Sequence, residues 1–408
     1  MAEKDKKPEI RFKGFSDEWE ERNLGEIGKF KNGMNFGKEA MGHGYPFVNL
    51  QDVFGKSTVD DTNLGLAVSN ENQRKEYSLQ KGDVLFIRSS VKPEGVGETA
   101  LVTKNFKNTT YSGFIIRFRL DIEMNENFNR FVYSTTNIRN QILTSATSSA
   151  NTNINQNSLQ KIQLMLPNTG EQSKIGTLFK HLDNLITLHQ YKYDNLANVK
   201  KSMLEKMFLE NGADVPEIRF KGFTDDWEQR KLGEVTDSYS GGTPSVGNEG
   251  YYDGEIPFIR SAEINSDSTE LFITETGLNK SSAKLVNIGN ILYALYGATS
   301  GEVGRASING AINQAILAII PKNNYDAEFI MHWLRKKKRE IITTYLQGGQ
   351  GNLSGAIVKH LNIDLPCYDE QKKIGQFFKH IDHLITLHKR ELEKLKNIKK
   401  AMLEKMFV

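Results

Sequence analysis

The chain of 408 residues contains nearly the same text twice. "PEIRFKGFSDEWEERNLGEI" (Pro8–Ile27) returns as "PEIRFKGFTDDWEQRKLGEV" (Pro216–Val235). "EQSKIGTLFKHLDNLITLHQYKYDNLANVKKSMLEKMF" (Glu171–Phe208) returns as "EQKKIGQFFKHIDHLITLHKRELEKLKNIKKAMLEKMF" (Glu370–Phe407). A period of roughly 200 residues is too long for a solenoid, so it marks a duplicated domain. Shorter echoes keep the same order between the blocks. "YPFVNLQDV" (Tyr45–Val53) parallels "IPFIRSAEI" (Ile256–Ile264), and "KGDVLFIRSS" (Lys81–Ser90) parallels "IGNILYALYG" (Ile288–Gly297). Each unit is a variable globular block followed by a constant tail.

The tails carry a helical stripe with alternating steps of four and three. In the first it runs Ile175, Phe179, Leu182, Ile186, His189, Tyr193, Leu196, Lys200, Met203, Met207. In the second it runs Ile374, Phe378, Ile381, Ile385, His388, Leu392, Leu395, Lys399, Met402, Met406. A heptad pattern held this long predicts two long helices able to pair with each other. Lys200, Lys399 and the two histidines interrupt the stripe at matching places, where polar groups set register at some cost in stability. Extra apolar residues (Leu185, Leu188, Leu384, Leu387) widen it, which suits more than one neighbour. At about 1.5 Å per residue each helix is a rod of roughly 55 Å.

The variable blocks read as mixed, mainly β: "DVLFIRSS", "GFIIRFRL", "NILYALYG" and "AILAIIP" are short apolar runs separated by Gly, Asn, Asp and Pro. Each block also has a late helical stretch, "NENFNRFVYSTTNIRNQIL" and "DAEFIMHWLRKKKREIITTYL", followed by a polar loop. The fold class is α+β, repeated. We divide the chain at 1–167, 168–210, 211–366 and 367–408: block, helix, block, helix. Trp19 and Trp227 occupy the same place in both opening blocks and read as core anchors.

Composition narrows the function by exclusion. No apolar run is long enough to span a membrane, and the charged start "MAEKDKKPEI" lacks the core of a secretory signal. Cys367 is the only cysteine, which rules out an internal disulfide and fits a cytoplasmic protein. "GKST" at Gly55–Thr58 is half a phosphate loop, but Leu50 stands where its first glycine belongs. Glu370–Lys372 mimics the end of a nuclease motif, yet its counterpart at Glu171–Ser173 lacks the lysine. His380, His383 and His388 are not all repeated, and packing explains them better than a metal. We expect no metal and no catalytic residue.

Two similar blocks on a rod suit a ruler for DNA, whose successive major-groove faces lie about 34–36 Å apart. Asn and Gln match adenine, and Arg and Lys match guanine. Loop residues of these types in the first block are Lys31, Asn32, Asn49, Gln51, Arg88, Ser89, Ser90 and Lys92. In the second they are Thr243, Ser245, Arg260, Ser261, Glu263, Tyr296, Thr299, Ser300 and Gln314. Ordinary solvated loops carry the same residue types. The run Arg335, Lys336, Lys337, Lys338, Arg339 is the densest positive charge; it suits a sequence-blind phosphate clamp as well as a solvated helix face.

Taken together, the repeated "FKGF-x-D-x-W-E" opening, the "GD/GN-ILF/Y" strand, the "LP-x-x-x-EQ-x-KIG" junction and the two long helices resemble the specificity subunit of type I restriction–modification systems, over essentially the whole chain. The resemblance implies two target-recognition domains, each reading half of a split double-stranded DNA site, and two conserved helices packed as an antiparallel coiled coil. It implies a subunit without catalysis or cofactor of its own. Two modification subunits would supply adenine methylation with S-adenosylmethionine, and restriction subunits would use ATP and Mg²⁺. It assigns Leu182, Leu185, Leu188 and their counterparts Ile381, Leu384 and Leu387 to docking the modification subunits. Where the family often has a second Pro after "LP", Asn168 and Cys367 stand here, with a small effect expected on the turn. Because the blocks differ, an asymmetric target is expected. A purely structural coiled-coil adaptor and a self-contained methyltransferase or nuclease are the alternatives.

Overall fold

The computed structural model describes residues 6–148, 151–210, 212–346 and 352–408. The polar loops after the late helices therefore fall partly outside the described residues, at 149–150 and 347–351. The chain forms two compact units: Met1–Gln190 with Arg390–Val408, and Tyr191–Lys389. Each constant tail is one continuous helix, Thr169–Lys206 and Tyr368–Lys405, that begins in one unit and ends in the other.

The duplication extends to strand order. In the first unit, Gly28–Asn32, Ile115–Leu120, Val84–Ile87 and Thr99–Leu101 form an antiparallel sheet in that order. In the second, Thr236–Ser240, Ile316–Pro321, Ile291–Ala294 and Val303–Arg305 repeat it. A second sheet is mixed in both. Met41–Val48 runs parallel to Thr110–Tyr111, and Tyr252–Ile259 runs parallel to Gly310–Ile312. A third pairing ties each opening block to the strand before its long helix: Glu20–Asn23 with Gln163–Leu166, and Glu228–Lys231 with Asn362–Leu365. The central strands Val84–Ile87 and Ile291–Ala294 are buried throughout, as their unbroken apolar runs require.

The constant residues build the joint between block and helix. Arg11 donates to both oxygens of Glu171 at 2.7 and 2.8 Å, and Trp19 Nε1 donates to the same carboxylate at 3.2 Å. Arg219 grips Glu370 in the same fork, at 2.8 and 2.8 Å. Both glutamates are inaccessible to solvent, so each needs its arginine. Gln172 donates to the Pro167 carbonyl and accepts from the Asn125 amide; Gln371 repeats this with Pro366 and Asp326. The "EQ" pair is thus a structural clasp. Asn168 caps the first long helix by accepting from the Glu171 amide at 2.9 Å. Gly176 and Gly375 follow because a Cβ there would lie 2.7 Å from the Phe128 amide nitrogen, or 2.4 Å from Asp326 Oδ1.

Trp19 and Trp227 are core residues, as expected. Trp19 packs edge-on to Phe128 and Phe407, and Trp227 edge-on to Phe208 and Phe329. Phe407 and Phe208 end the two long helices' sequence blocks, so each unit's core is completed by the end of the helix that started in the other unit. Within each unit the start of one long helix meets the end of the other, which makes the pairing antiparallel. The interrupting lysines have partners there: Lys399 reaches Asp183 at 2.6 Å, and Lys200 pairs with Asp382. An arginine of the block joins each aspartate, Arg130 at 2.7 Å and Arg335 at 2.6 Å.

One late helix departs from the expectation. The second is unbroken from Ala327 to Leu346. The first divides into Glu126–Phe131, a tight turn at Val132–Ser134, and Thr136–Ser145. Ser134 and Thr135 hydroxyls donate to the Phe131 and Val132 carbonyls at 2.7 and 2.9 Å, competing with the helical ladder. "HWLRKKKR" contains no such residue.

Candidate nucleic-acid interface

Four loops leave the strand ends of each unit and are tied by the same backbone bonds. In the first unit Met34 donates to the Tyr111 carbonyl (2.8 Å), Ser112 to Val48 (2.9 Å), and Arg88 to Phe114 (2.8 Å). In the second, Gly242 donates to Ile312 (3.2 Å), Asn313 to Ile259 (3.4 Å), and Leu295 to Ala315 (2.8 Å). These bonds gather residues 33–38, 49–54, 88–95 and 112–114 into one rim, and 241–248, 260–265, 295–301 and 313–315 into its counterpart. Close approach demands glycine at the crossing: a Cβ on Gly33 would stand 2.2 Å from the Ser112 carbonyl oxygen, and one on Gly241 1.9 Å from that of Ile312.

The rim of the first unit collects most of the residues expected there. Gln51, Ser89, Ser90 and Lys92 line a concavity of about 500 Å³, and Asn49 lines a neighbouring one of about 250 Å³. Phe114 borders both. Their accessibility differs. Gln51 and Lys92 are exposed. Asn49 caps the turn that follows it by accepting from the Leu50 amide. Ser90 accepts from the Lys92 amide at 3.2 Å. Ser89 is buried and paired with Asn153, and Arg88 is turned back to the Gly113 carbonyl at 3.3 Å. Lys31 and Asn32 end a sheet strand, and Lys31 pairs with Glu76 at 2.8 Å while lying over the Tyr77 ring.

In the second unit, Thr243 and Gln314 are hydrogen-bonded to each other across two loops of the rim. Arg260 is held flat by Glu263, with Nη2 to Oε1 at 2.6 Å and Nε to Oε2 at 3.1 Å. Burial would push the Glu263 carboxyl up, but hydrogen bonds from Arg260 and Thr269 outweigh it and hold the group below its ordinary range. Ser245 lies on the exposed first loop, and Ser261 opens the turn after Arg260. Tyr296, Thr299 and Ser300 lie on the third loop, where Ser300 donates to the Leu295 carbonyl at 3.1 Å.

The basic run is mostly committed to the protein's own groups. Arg335 is bound to Asp382, and Lys336 Nζ donates to the carbonyls of Phe208 and Leu209, both at 2.9 Å, just beyond a helix C-terminus. Lys337 pairs with Glu340 and Lys338 with Glu302. Arg339 is exposed. A helix carrying five consecutive cations turns only part of them to solvent, and a run of letters cannot tell which have acidic neighbours from elsewhere in the fold. The helix leucines also divide. Leu182 and Ile381 are buried within the chain, Leu384 is half-buried, and Leu185, Leu188 and Leu387 are each more than two-fifths exposed.

Sequence reasoning missed Phe54, Val91 and Phe114, which share the first unit's rim and are exposed at 46%, 81% and 54%. Apolar residues beside strand-like runs look like core in a linear reading, and only the chain crossing exposes them. Among the described residues no group of three His, Cys, Asp or Glu side chains is placed to hold a metal ion, and no helix is long and apolar enough to cross a membrane.

Residues 16–198 and 224–397 each match the family model described as the type I restriction modification DNA specificity domain. The chain is 25% identical to the putative type I restriction enzyme MjaX specificity subunit of Methanocaldococcus jannaschii, over 95% of this chain and 92% of that one. It is 28% identical to the type I restriction enzyme EcoR124I/EcoR124II specificity subunit of Escherichia coli, over 38% of this chain and 41% of that one. Among solved structures, the S subunit of a type I restriction–modification system from M. genitalium has the same fold, with a TM-score of 0.68 at 17% identity over 98% of this chain and 99% of that one. The duplicated strand order, the exchanged helix ends and the matched rims agree with these relations, and the chain belongs to the type I restriction–modification DNA specificity subunits, the non-catalytic, sequence-reading component of those enzymes.

Proposed function

We propose that each unit reads one half of a split, asymmetric double-stranded DNA site with its own rim. The observation that carries this reading is the contrast within one chain. The same backbone bonds close both rims, while the side chains they present differ at nearly every position. On this reading residues 1–167 and 211–366 recognise DNA, and 168–210 and 367–408 assemble the complex. Leu185, Leu188, Leu384 and Leu387 dock two modification subunits, to which restriction subunits are added. S-adenosylmethionine, ATP and Mg²⁺ belong to those partners.

Phosphate contact falls to the exposed cations Lys92 and Arg339, in preference to Arg335–Lys338, which the protein's own groups already engage. Replacing Lys92 by Ala should weaken binding to all sequences alike and reduce the salt slope by about 1. The test of the function is genome-wide mapping of methylated adenine in cells that express this chain with a modification subunit. A split motif is expected, and exchange of residues 28–158 for those of another family member should alter one half only. Methylation without a defined motif, or alteration of both halves, would refute the reading.

A further inference from the structure

We infer that the first unit, but not the second, carries an apolar subsite that takes the 5-methyl group of thymine in its half of the target. This rests on the functional reading above and specifies what one rim selects. Phe54, Phe114 and Val91 stand around the concavity of about 500 Å³ that Gln51, Ser90 and Lys92 also line. Phe54 reaches the Ser90–Gly95 turn closely enough that its Cε2 would lie 2.7 Å from a Cβ on Gly95. Apolar side chains that stand exposed at the edge of a hollow gain by covering an apolar group of the ligand. Among unmodified base edges in the major groove, only thymine offers one, and Phe and small apolar side chains are what contact it.

The second unit supplies the internal comparison. Phe114 accepts from Arg88 where Ala315 accepts from Leu295, so Phe114 and Ala315 are equivalent. Asp52 accepts from the Asn49 amide as Glu263 does from Arg260, which places Phe54 opposite Asn265, two residues further on. The loop that bears Val91 is shorter in the second unit: the same backbone pair closes it between Ile87 and Gly97 in the first and between Ala294 and Gly301 in the second, and the shorter loop holds no valine. The same fold closes without the three larger apolar groups, so the fold does not require them. Leaving them in water, beside three polar side chains suited to base edges and phosphate, points to an apolar part of the ligand.

The experiment uses the full chain with its modification subunit and the split duplex found by methylation mapping. Each thymine in the half-site assigned to the first unit is replaced by deoxyuridine, which removes only the methyl group, and affinity is measured by competition. At least one replacement should weaken binding about fourfold, the scale for one methyl-sized group leaving apolar contact. Phe114→Ala, which adopts the residue found at Ala315, should bind thymine and deoxyuridine duplexes equally at that position. Val91→Ala, which trims an exposed wall of the same hollow, provides a second variant should the first fold poorly. Equal affinity of the unaltered protein for both duplexes, or a half-site with no thymine on either strand, would overturn the subsite while leaving sequence-specific reading intact. Loss of all sequence preference would instead overturn the functional reading.

Discussion

Replacing His332 by Phe should remove an acid-sensitive weakness from the second unit. His332 lies on the helix Ala327–Leu346 and is fully buried, and neither ring nitrogen has a hydrogen-bond partner among the described residues. Its ring lies 4.9 Å from that of Phe378. Burial pushes its pKa down to about 3, helped by the neighbouring Arg335, Lys200 and Arg305 charges and opposed by Asp382 at 3.8 Å. Asp382 is already engaged by Lys200 and Arg335, so it is poorly placed to rescue an imidazolium. Between pH 6.5 and 3 the unfolded chain therefore binds a proton that the native ring refuses. Stability from this group is complete above about 6.5 and falls steadily as pH drops towards 3. At about 1.36 kcal/mol per unit, the loss at pH 5 is about 2 kcal/mol. The first unit places Phe131 at the equivalent site, 5.5 Å from Phe179, so the substitution has a precedent in the same fold. Urea unfolding, followed by the fluorescence of Trp227 and Trp333, should show the variant's advantage growing by about 2 kcal/mol between about pH 7 and pH 5. An advantage that does not change with pH would refute the account of a neutral, desolvated imidazole.

Glu370→Gln should destabilise the second unit by roughly 3 kcal/mol, because it leaves Arg219 facing a buried, uncharged group; thermal unfolding measures it, and Glu171→Gln should do the same in the first unit. A double-mutant cycle with Asp183→Asn and Lys399→Met should give a coupling of about 1–3 kcal/mol, since the two groups meet at 2.6 Å in a partly buried helix pair. Gly241→Ala should displace the rim that crosses Ile312 and relax the target in one half-site only, seen as a degenerate half-motif in a methylation map. Arg335→Ala should lower stability through Asp382 and leave the salt dependence of DNA binding unchanged.

Much of this architecture is legible in linear text because duplication is a comparison the chain makes with itself. The echo of Tyr45–Val53 with Ile256–Ile264, and that of Lys81–Ser90 with Ile288–Gly297, match the residues that the backbone bonds make equivalent. The stripe from Ile175 to Met203 is one helix because no proline breaks it and its apolar spacing never changes phase. Residues whose role depends on a distant partner were not legible. Glu370 resembles part of a catalytic motif until Arg219, 151 positions away, is seen to hold it. Lys336 resembles a phosphate ligand until its ammonium is found on the carbonyls beyond a helix end.

Linear text alone establishes two repeats, a β-rich block joined to a long helix in each, and the residues constant between them. Periodicity and repetition are local or self-referential, and they survive without coordinates. Which unit each helix end completes, which cations the fold engages, and which apolar side chains reach water at the rims emerge only on folding. Those outcomes depend on non-local pairings such as Arg88 with Phe114 and Lys399 with Asp183. They come into being only when strands far apart in sequence close on one another, and no composition or spacing along the chain encodes them separately.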